Sequence, residues 1–458
     1  MVGKEMLDRF AQESPVPVMV RAVLENTLSA EFLDELFREH AEKQVVGNLL
    51  FSTIVDLMTL VVCNIRPSIH AAYQARRDEI EVAVKSVYNK INGVEPAVAA
   101  ALVGETAGRL AVVVDELGAT LPPILPGYTT KIVDGNHLAA TEHRLGELRR
   151  IAAGPLPGLA LVVLDPQRML VESVVPCEDG YTQERKLVGQ LVDRFQPGDV
   201  WIADRNFCMA AFLWELHVSG AFFVVRQHAT NVRSETAGRR RKIGRGETGV
   251  VDEQPIKVHD DFGNVMPARR VTVRLDTPTR DGGEELSILT NLPEAVDAAA
   301  VADAYRRRWT IETAFGELDA VLQSEISSLG YPGAALFAFC VSLLAYNVLS
   351  VVKAALRSVH GEKKVRQEVS AFYLAEEVRG VWRGMAIAVP ADQWEDAYAA
   401  LTPKQLAGTL KRLAGNVRLS AFRKHVRGVK KKPPKRTRKK NQPHVSTARI
   451  LAARKRKT

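Results

Sequence analysis

The chain has 458 residues, of which 46% are hydrophobic and 25% charged. These proportions are ordinary for a globular protein with a sizeable core, so they exclude a largely disordered chain, and the length corresponds to about three domains. The net charge of +9 is uneven, because residues 423–458 hold 16 Lys and Arg and no acidic residue, which leaves a net charge of −7 on the rest.

The first 125 or so residues are predicted to form a helical domain. Residues 31–40 and 48–63 are apolar at helical spacing, and Arg66-Pro67 ends the second run. The prolines and glycine of residues 121–127 then mark a boundary between this domain and the next.

A β-prone region follows the boundary. Residues 130–133 are a short strand-like run that ends at Asp134. Residues 159–164 and 169–175 are two further apolar runs with a turn between them, which predicts a hairpin.

Helical and strand patterns alternate after the hairpin. Residues 184–195 have helical periodicity, and residues 200–203 form a buried-strand pattern that Asp204 follows at once. A helix is predicted over 208–218 and a strand over 221–225. The order strand, strand, strand, helix, strand, helix, strand is typical of a ribonuclease-H-like mixed sheet flanked by helices, in the α/β class.

The composition and pattern of residues 226–290 differ from those of the preceding residues, which predicts an inserted, mostly-β subdomain. An Arg- and Gly-rich segment at 238–246 precedes three short β-prone runs at 255–258, 270–275 and 286–289. Residues 293–323 return to a helical pattern.

Residues 333–352 are uncharged over 20 positions and could be mistaken for a membrane span. They include Ser342, Tyr346, Asn347 and Ser350, and no similar stretch elsewhere would pair with them. We therefore predict a helix buried in a large core, and no membrane partner.

The last part of the chain is predicted to hold a helix from Thr402-Pro403 to Gly415, followed by the basic tail. Such a tail suits nucleic acid, the usual polyanion, although a solvated end with no partner has the same composition. The predicted domain division is 1–125 helical and DNA-binding, 126–226 first part of the core, 227–291 β insertion, 292–400 second part of the core, and 401–458 C-terminal helix and tail.

The four cysteines, Cys63, Cys177, Cys208 and Cys340, form no CxxC pair. We therefore expect neither a zinc site nor a disulfide framework. We expect the protein to reside in a reducing compartment. The sequence MVGKEMLDRF at the start has no apolar signal-peptide region. We expect a cytoplasmic protein.

Two aspartates occupy the positions that a metal-dependent phosphodiesterase needs. Cleavage by two divalent ions requires carboxylates that converge from several elements. Asp134 is predicted to close the first core strand and Asp204 the fourth, so both would emerge at the same end of neighbouring strands. Either aspartate alone would also suit a helix cap or a turn.

A third acid lies on the predicted helix over 293–323. Tyr305, Arg308 and Glu312 fall at i, i+3 and i+7, which puts them on one helical face. The acid can bind a metal, and the arginine can hold a phosphate through paired donors. A solvated helix with routine charge pairs would show the same spacing.

The surroundings of these residues carry a family pattern: GDVWIADRNF at 198–207, TNLP at 290–293 and YRRRWTIETAF at 305–315. Together with Asp134, they resemble the IS4-type family of DDE transposases over residues 131–349. That family has a first Asp after a strand, a second Asp in a pattern like GD…laDrgf, and a helix with Tyr, two residues, Arg, three residues and Glu. A Lys usually follows that Glu after six intervening residues; this chain has Asp319 at that position, with Glu317 close by.

The resemblance implies a transposase that cuts and rejoins double-stranded DNA at element ends and in a target. It implies two Mg²⁺ (or Mn²⁺) ions among Asp134, Asp204 and Glu312, phosphate contacts from Tyr305 and Arg308, and a homodimer in the DNA complex. Trp309 beside them could stack on a displaced base or belong to the core.

Two other interpretations stay open at this point. A ribonuclease-H-like DNA endonuclease could share the three acids and the metals, and strand joining would separate it from a transposase. A catalytically inactive transposase descendant that binds DNA would fit the acid at 319, although the intact set of three acids favours an enzyme.

Overall fold

The computed structural model describes residues 2–44, 47–260, 262–279, 282–425 and 444–455. Within these residues, seven α-helices precede the first strand: α1 Val2–Glu13, α2 Pro15–Thr27, α3 Ala30–His40, α4 Phe51–Val62, α5 Ile69–Ala75, α6 Val84–Asn92 and α7 Pro96–Glu116. The helices predicted over 31–40 and 48–63 are confirmed as α3 and α4. The side chain of Ser29 caps α3 by accepting a hydrogen bond from the Phe32 amide.

The strands of the described residues are β1 Thr129–His137, β2 Pro155–Leu156, β3 Leu159–Asp165, β4 Leu170–Cys177, β5 Asp199–Ala203, β6 Phe222–Arg226, β7 Ser234–Thr236, β8 Arg241–Gly246, β9 Gly249–His259, β10 Val265–Leu275, β11 Glu285–Thr290 and β12 Val445–Ser446. Ten of them form one sheet in the order β4-β3-β1-β5-β6-β11-β10-β9-β7, with β8 paired to β9. The pairs β1–β5 and β5–β6 are parallel, and the other pairs in this sheet are antiparallel. The predicted hairpin is confirmed as β3–β4, and the mostly-β insertion as β7–β11.

Helices cover both faces of this sheet. On one face, Ile132 and Ile202 belong to a core shared with the N-terminal helices and the long helix α11 (Pro332–His360). On the other, Val133 and Ala203 pack in a second core with α8 (Ala210–Val218). The strands at the centre are buried on both sides, as the predicted ribonuclease-H-like sheet flanked by helices requires.

The C-terminal half holds the remaining helices: α9 Ala298–Arg306, α10 Trp309–Val321, α12 Glu362–Glu368, α13 Ala371–Ala388, α14 Ala391–Tyr398, α15 Pro403–Gly415 and α16 Thr447–Lys455. The predicted helix at 402–415 is confirmed as α15, which begins with a reciprocal capping box between Thr402 and Gln405.

Helix α11 contains the uncharged stretch 333–352 and is almost entirely buried, which confirms the prediction of a core helix. By length and composition, both α7 and α11 could cross a membrane. The buried Asn347 on α11 binds the backbone of the edge strand β4: its Nδ2 donates to the Val171 carbonyl at 2.8 Å, and its Oδ1 accepts from the Val171 amide at 2.7 Å. A polar residue in this helix therefore attaches it to the sheet.

Two helix predictions are wrong in detail. Residues 184–195 form two 3-10 helices, Glu184–Lys186 and Val188–Arg194, instead of one α-helix. The predicted single helix over 293–323 is divided into α9 and α10 by a turn at 307–308. The amides of Arg308, Thr310 and Ile311 each donate to the carbonyl three residues earlier, so the chain is tightened here into i→i+3 bonding.

The Arg-rich segment of the insertion forms strand β8 and the residues before it. Its arginines pair with acids of the same insertion: Arg240 with Asp252, Arg241 with Glu253, and Arg245 with Asp276. Much of this positive charge is therefore balanced within the insertion.

Most of the predicted basic tail lies outside the described residues, which resume at His444. There β12 pairs in parallel with β2. Arg449 in α16 pairs with Asp179 at 2.7 Å, and Ser446 donates to the same carboxylate at 2.6 Å. The last described residues are thus attached to the first part of the core.

Candidate active site

Asp134 and Asp204 lie side by side because β1 and β5 run parallel in register. Ile132 is opposite Ile202, and continuing that register by two residues sets Asp134 opposite Asp204. Since side chains alternate along extended chain, both acids lie on the face of Ile132 and Ile202, which holds α11. The parallel strand pairing thus brings the two predicted acids together.

Asp134 does not close its strand, which corrects one prediction. Strand β1 continues to His137 because residues 132–137 pair with the antiparallel strand β3 after the pairing with β5 has ended. Asp204 does follow β5 directly, and its Oδ1 accepts a hydrogen bond from the Asn206 amide at 2.7 Å. Both acids therefore lie at or beyond the carboxyl end of the parallel pair.

Arg308 joins the third predicted acid to this pair. Its Nη1 donates to Asp134 Oδ2 at 2.7 Å, and its Nη2 donates to Glu312 Oε1 at 2.5 Å. The residue is only 9% exposed, and its Nε has no hydrogen-bond partner among the described residues. Tyr305 is buried beside Arg308 and contacts it through its hydroxyl. All five predicted site residues are thus in one place.

Burial and crowded negative charge dominate the electrostatics here. Burial, together with the charges of Asp204 and Glu184, raises the pKa of Asp134 to about 7, even though Arg308 acts in the opposite direction. Burial also raises the pKa of Asp204. Two carboxyl groups whose ionised forms are disfavoured in this way would be stabilised by a bound cation.

A divalent cation suits the chemistry of this site. The three acids offer the oxygen ligands that Mg²⁺ and Mn²⁺ prefer, and Arg308 already contributes positive charge between two of them. Within the described residues, however, the ligand atoms of Asp134, Asp204 and Glu312 do not all lie within 4.8 Å of one another, because Arg308 lies between Asp134 and Glu312. Among the described residues, three side chains that do have ligand atoms within 4.8 Å of one another are Glu39, His40 and Glu105, which lie elsewhere in the N-terminal helices.

A comparison with known protein families bears on this site. A family model described as "Transposase DDE domain" matches residues 126–348. The match to the transposase DDE domain includes Asp134, Asp204 and Glu312, as well as the whole β insertion. No curated protein matches the chain.

Two neighbours of the three acids stand out in the structure. Trp309, which the sequence left undecided between core and base stacking, is 61% exposed, and the Arg308 guanidinium lies 5.7 Å from its ring centroid. Glu184 is a fourth acid near Asp134 and Asp204 that the sequence analysis missed. It occurs in no recognisable motif, and only its place at the start of a segment between β4 and β5 could have drawn attention to it.

The acids near the family's lysine position have partners of their own. Asp319 accepts a hydrogen bond from the Ser324 hydroxyl at 3.1 Å, and Glu317 pairs with Lys353 of α11 at 2.6 Å. These contacts hold the end of α10 to its surroundings, so both acids serve the packing of the helix that carries Glu312.

Proposed function

We propose that this protein is a transposase of the IS4 type that cleaves DNA strands at the ends of an insertion sequence and transfers them to a target. The observation that carries the proposal is the position of Asp134 and Asp204 at the carboxyl end of the parallel pair β1–β5, with Glu312 joined to Asp134 through Arg308. The three acids come from three separate elements of the segment that matches the transposase DDE domain.

In this proposal Asp134, Asp204 and Glu312 hold two Mg²⁺ or Mn²⁺ ions, which supply a Lewis acid and an activated water when bound. The protein's own contribution is to hold three carboxylates on rigid elements at one edge of the sheet. Arg308, with its planar set of donors, would bind a phosphate of the DNA backbone. Tyr305, which is buried and contacts Arg308 through its hydroxyl, would orient Arg308.

Trp309 would contact a base in the complex with DNA. Its ring is mostly exposed and lies next to Arg308. Exposed aromatic rings bind unstacked bases in proteins that act on single-stranded or distorted DNA. An exposed tryptophan at this point therefore fits a reaction in which a nucleotide near the cut leaves the stack.

The wider assembly follows the same proposal. The N-terminal helices (1–125) and the basic tail would hold DNA, and the reaction would take place in a dimer on two element ends in the bacterial cytoplasm. The core parts 126–226 and 292–400 carry the acids, the insertion 227–291 separates them in sequence, and 401–458 adds the last helix and the tail. The positive charge of residues 423–458 supports DNA binding by this end of the chain.

The direct test is Asp204→Asn with a DNA duplex that carries an element end, in Mg²⁺ or Mn²⁺. We expect cleavage to fall by about three orders of magnitude or more, because a metal ligand and its charge are lost, while binding in a gel-shift assay is unchanged. Asp193→Asn is the matched control, because it removes the same charge from an exposed position outside the site. Equal cleavage by Asp204→Asn and the parent would contradict the proposal.

Two outcomes of the same assay identify the alternatives. Cleavage without any joining of the cut ends to a target plasmid would identify a ribonuclease-H-like endonuclease. DNA binding with no cleavage by the parent in either metal would identify an inactive descendant, the alternative that the acid at position 319 favours.

A further inference from the structure

Glu184 reaches the candidate active site from the face of the sheet opposite to Arg308. It begins the short 3-10 helix between β4 and β5, and its side chain is only 14% exposed. Its Oε1 lies 3.2 Å from Nδ1 of His137, the last residue of β1. Since His137 and Asp134 are an odd number of residues apart on an extended strand, they point to opposite faces, and Glu184 lies on the face of His137.

Gly135 allows Glu184 to approach the strand closely. A Cβ atom on residue 135 would overlap the side chain of Glu184, including its carboxyl group. The carboxylate of Glu184 therefore lies against the backbone of the residue that follows Asp134. Any residue other than glycine at this position would force Glu184 away.

Glu184 and Asp134 lie on opposite sides of strand β1, separated by the backbone of Gly135. Glu184 and His137 also line an open cleft of about 510 Å³, together with Asn206 from the loop after Asp204. The carboxylate of Glu184 therefore lies beside the strand that carries Asp134 and borders a cleft that reaches the loop after Asp204.

We propose that Glu184 is a fourth acidic residue of the site, whose negative charge strengthens the binding of a divalent cation by Asp134 and Asp204. It is a positioning residue, because it acts through the two aspartates across strand β1. The inference rests on the proposed function, since it assumes that these aspartates bind a cation.

The test is the affinity of the full chain for Mn²⁺, measured by isothermal titration calorimetry. We expect Glu184→Gln, which keeps the shape and removes the charge, to weaken Mn²⁺ binding roughly tenfold, the scale on which groups behind metal ligands act. Gly135→Ala should weaken it similarly, because the added Cβ displaces Glu184. The double variant should bind no more weakly than either single variant, since both remove one interaction.

Two variants serve as controls. Glu215→Gln removes the same charge from an exposed position on α8 and should bind Mn²⁺ like the parent. Asp204→Asn should abolish the measured binding and so assigns it to the site. Parent-like affinity in both Glu184→Gln and Gly135→Ala, with binding still abolished by Asp204→Asn, would overturn the inference and leave the proposed function standing. If the parent shows no Mn²⁺ binding that depends on Asp204, both the inference and the proposed function are overturned. If Glu184→Gln does not fold, the Mn²⁺ affinity of Gly135→Ala alone tests the inference.

Discussion

Replacing Asp134 with asparagine should change how the stability of the protein depends on pH. Burial, with the charges of Asp204 and Glu184, raises the pKa of Asp134 from 3.8 to about 7 in the folded state without a cation. The folded state therefore binds a proton more tightly than the unfolded state. The stability from this proton is fully present below pH 4 and is lost as the pH rises through 7.

The size of the effect follows from the two pKa values. Between pH 5 and pH 7 the folded protein loses about 1.36 kcal/mol per pH unit from this group, or about 3 kcal/mol in all. Asparagine does not titrate, so Asp134→Asn should lack this loss. The variant also deprives Arg308 of one of its two acidic partners. The pKa of about 7 already includes the effect of Arg308 on Asp134, so this interaction needs no separate correction in a comparison of pH dependences.

The assay is the thermal midpoint of parent and variant at pH 5 and pH 8, with chelator present. We expect the parent to lose several degrees more than the variant between the two pH values, at about 1–2 °C per kcal/mol for a chain of this size. Adding Mn²⁺ at pH 8 should raise the midpoint of the parent and leave that of the variant unchanged. Identical pH dependence in parent and variant would refute the assignment of a buried, raised-pKa carboxyl at position 134.

Two further variants test the neighbouring helices. Trp309→Ala should reduce DNA cleavage by about tenfold or more, because the exposed ring can stack on a base. Its thermal midpoint should stay within about 1 °C of the parent's, because the ring contributes little to the core. Trp309→Phe should retain most of the cleavage activity. Asn347→Leu leaves the amide and carbonyl of Val171 without their hydrogen-bond partner. We expect it to lower the free energy of unfolding, measured with denaturant, by about 2–4 kcal/mol. Ser342→Ala removes only a hydrogen bond within α11 and should have a much smaller effect.

The sequence predicts the part of this site that depends on local pattern. Apolar runs that end near an aspartate identify β1 and β5. The spacing of Tyr305, Arg308 and Glu312 predicts one shared helical face, which is wrong, because the break at 307–308 puts Tyr305 and Glu312 on different helices. The register that sets Asp134 opposite Asp204 is not visible in these runs. It depends on a pairing between strands that are separated by the whole β3–β4 hairpin.

Glu184 shows why the rest of the site was not predicted. Its approach requires a glycine at 135, a 3-10 turn in place of an α-helix at 184–186, and a partner at His137. Each of these is unremarkable in sequence, and they acquire a meaning only when β1 and the segment after β4 are in contact. The break at 307–308 has a similar origin, because Arg308 binds Asp134, 174 residues away.

The β insertion helps to determine where Glu312 lies. Strand β11 returns the chain to the core by pairing with β6, so the insertion extends the core sheet directly. From the insertion, the buried Arg269 donates to the carbonyls of Leu292 and Val296, both at 3.0 Å, and so fixes the connection that leads into α9. The tip of the β8–β9 hairpin also contacts α9, since the Glu247 amide donates to Asp303 at 3.2 Å. The 107 residues between Asp204 and Glu312 therefore do more than separate two acids in sequence. They include the strands that hold α9, and with it Tyr305, at the edge of the sheet.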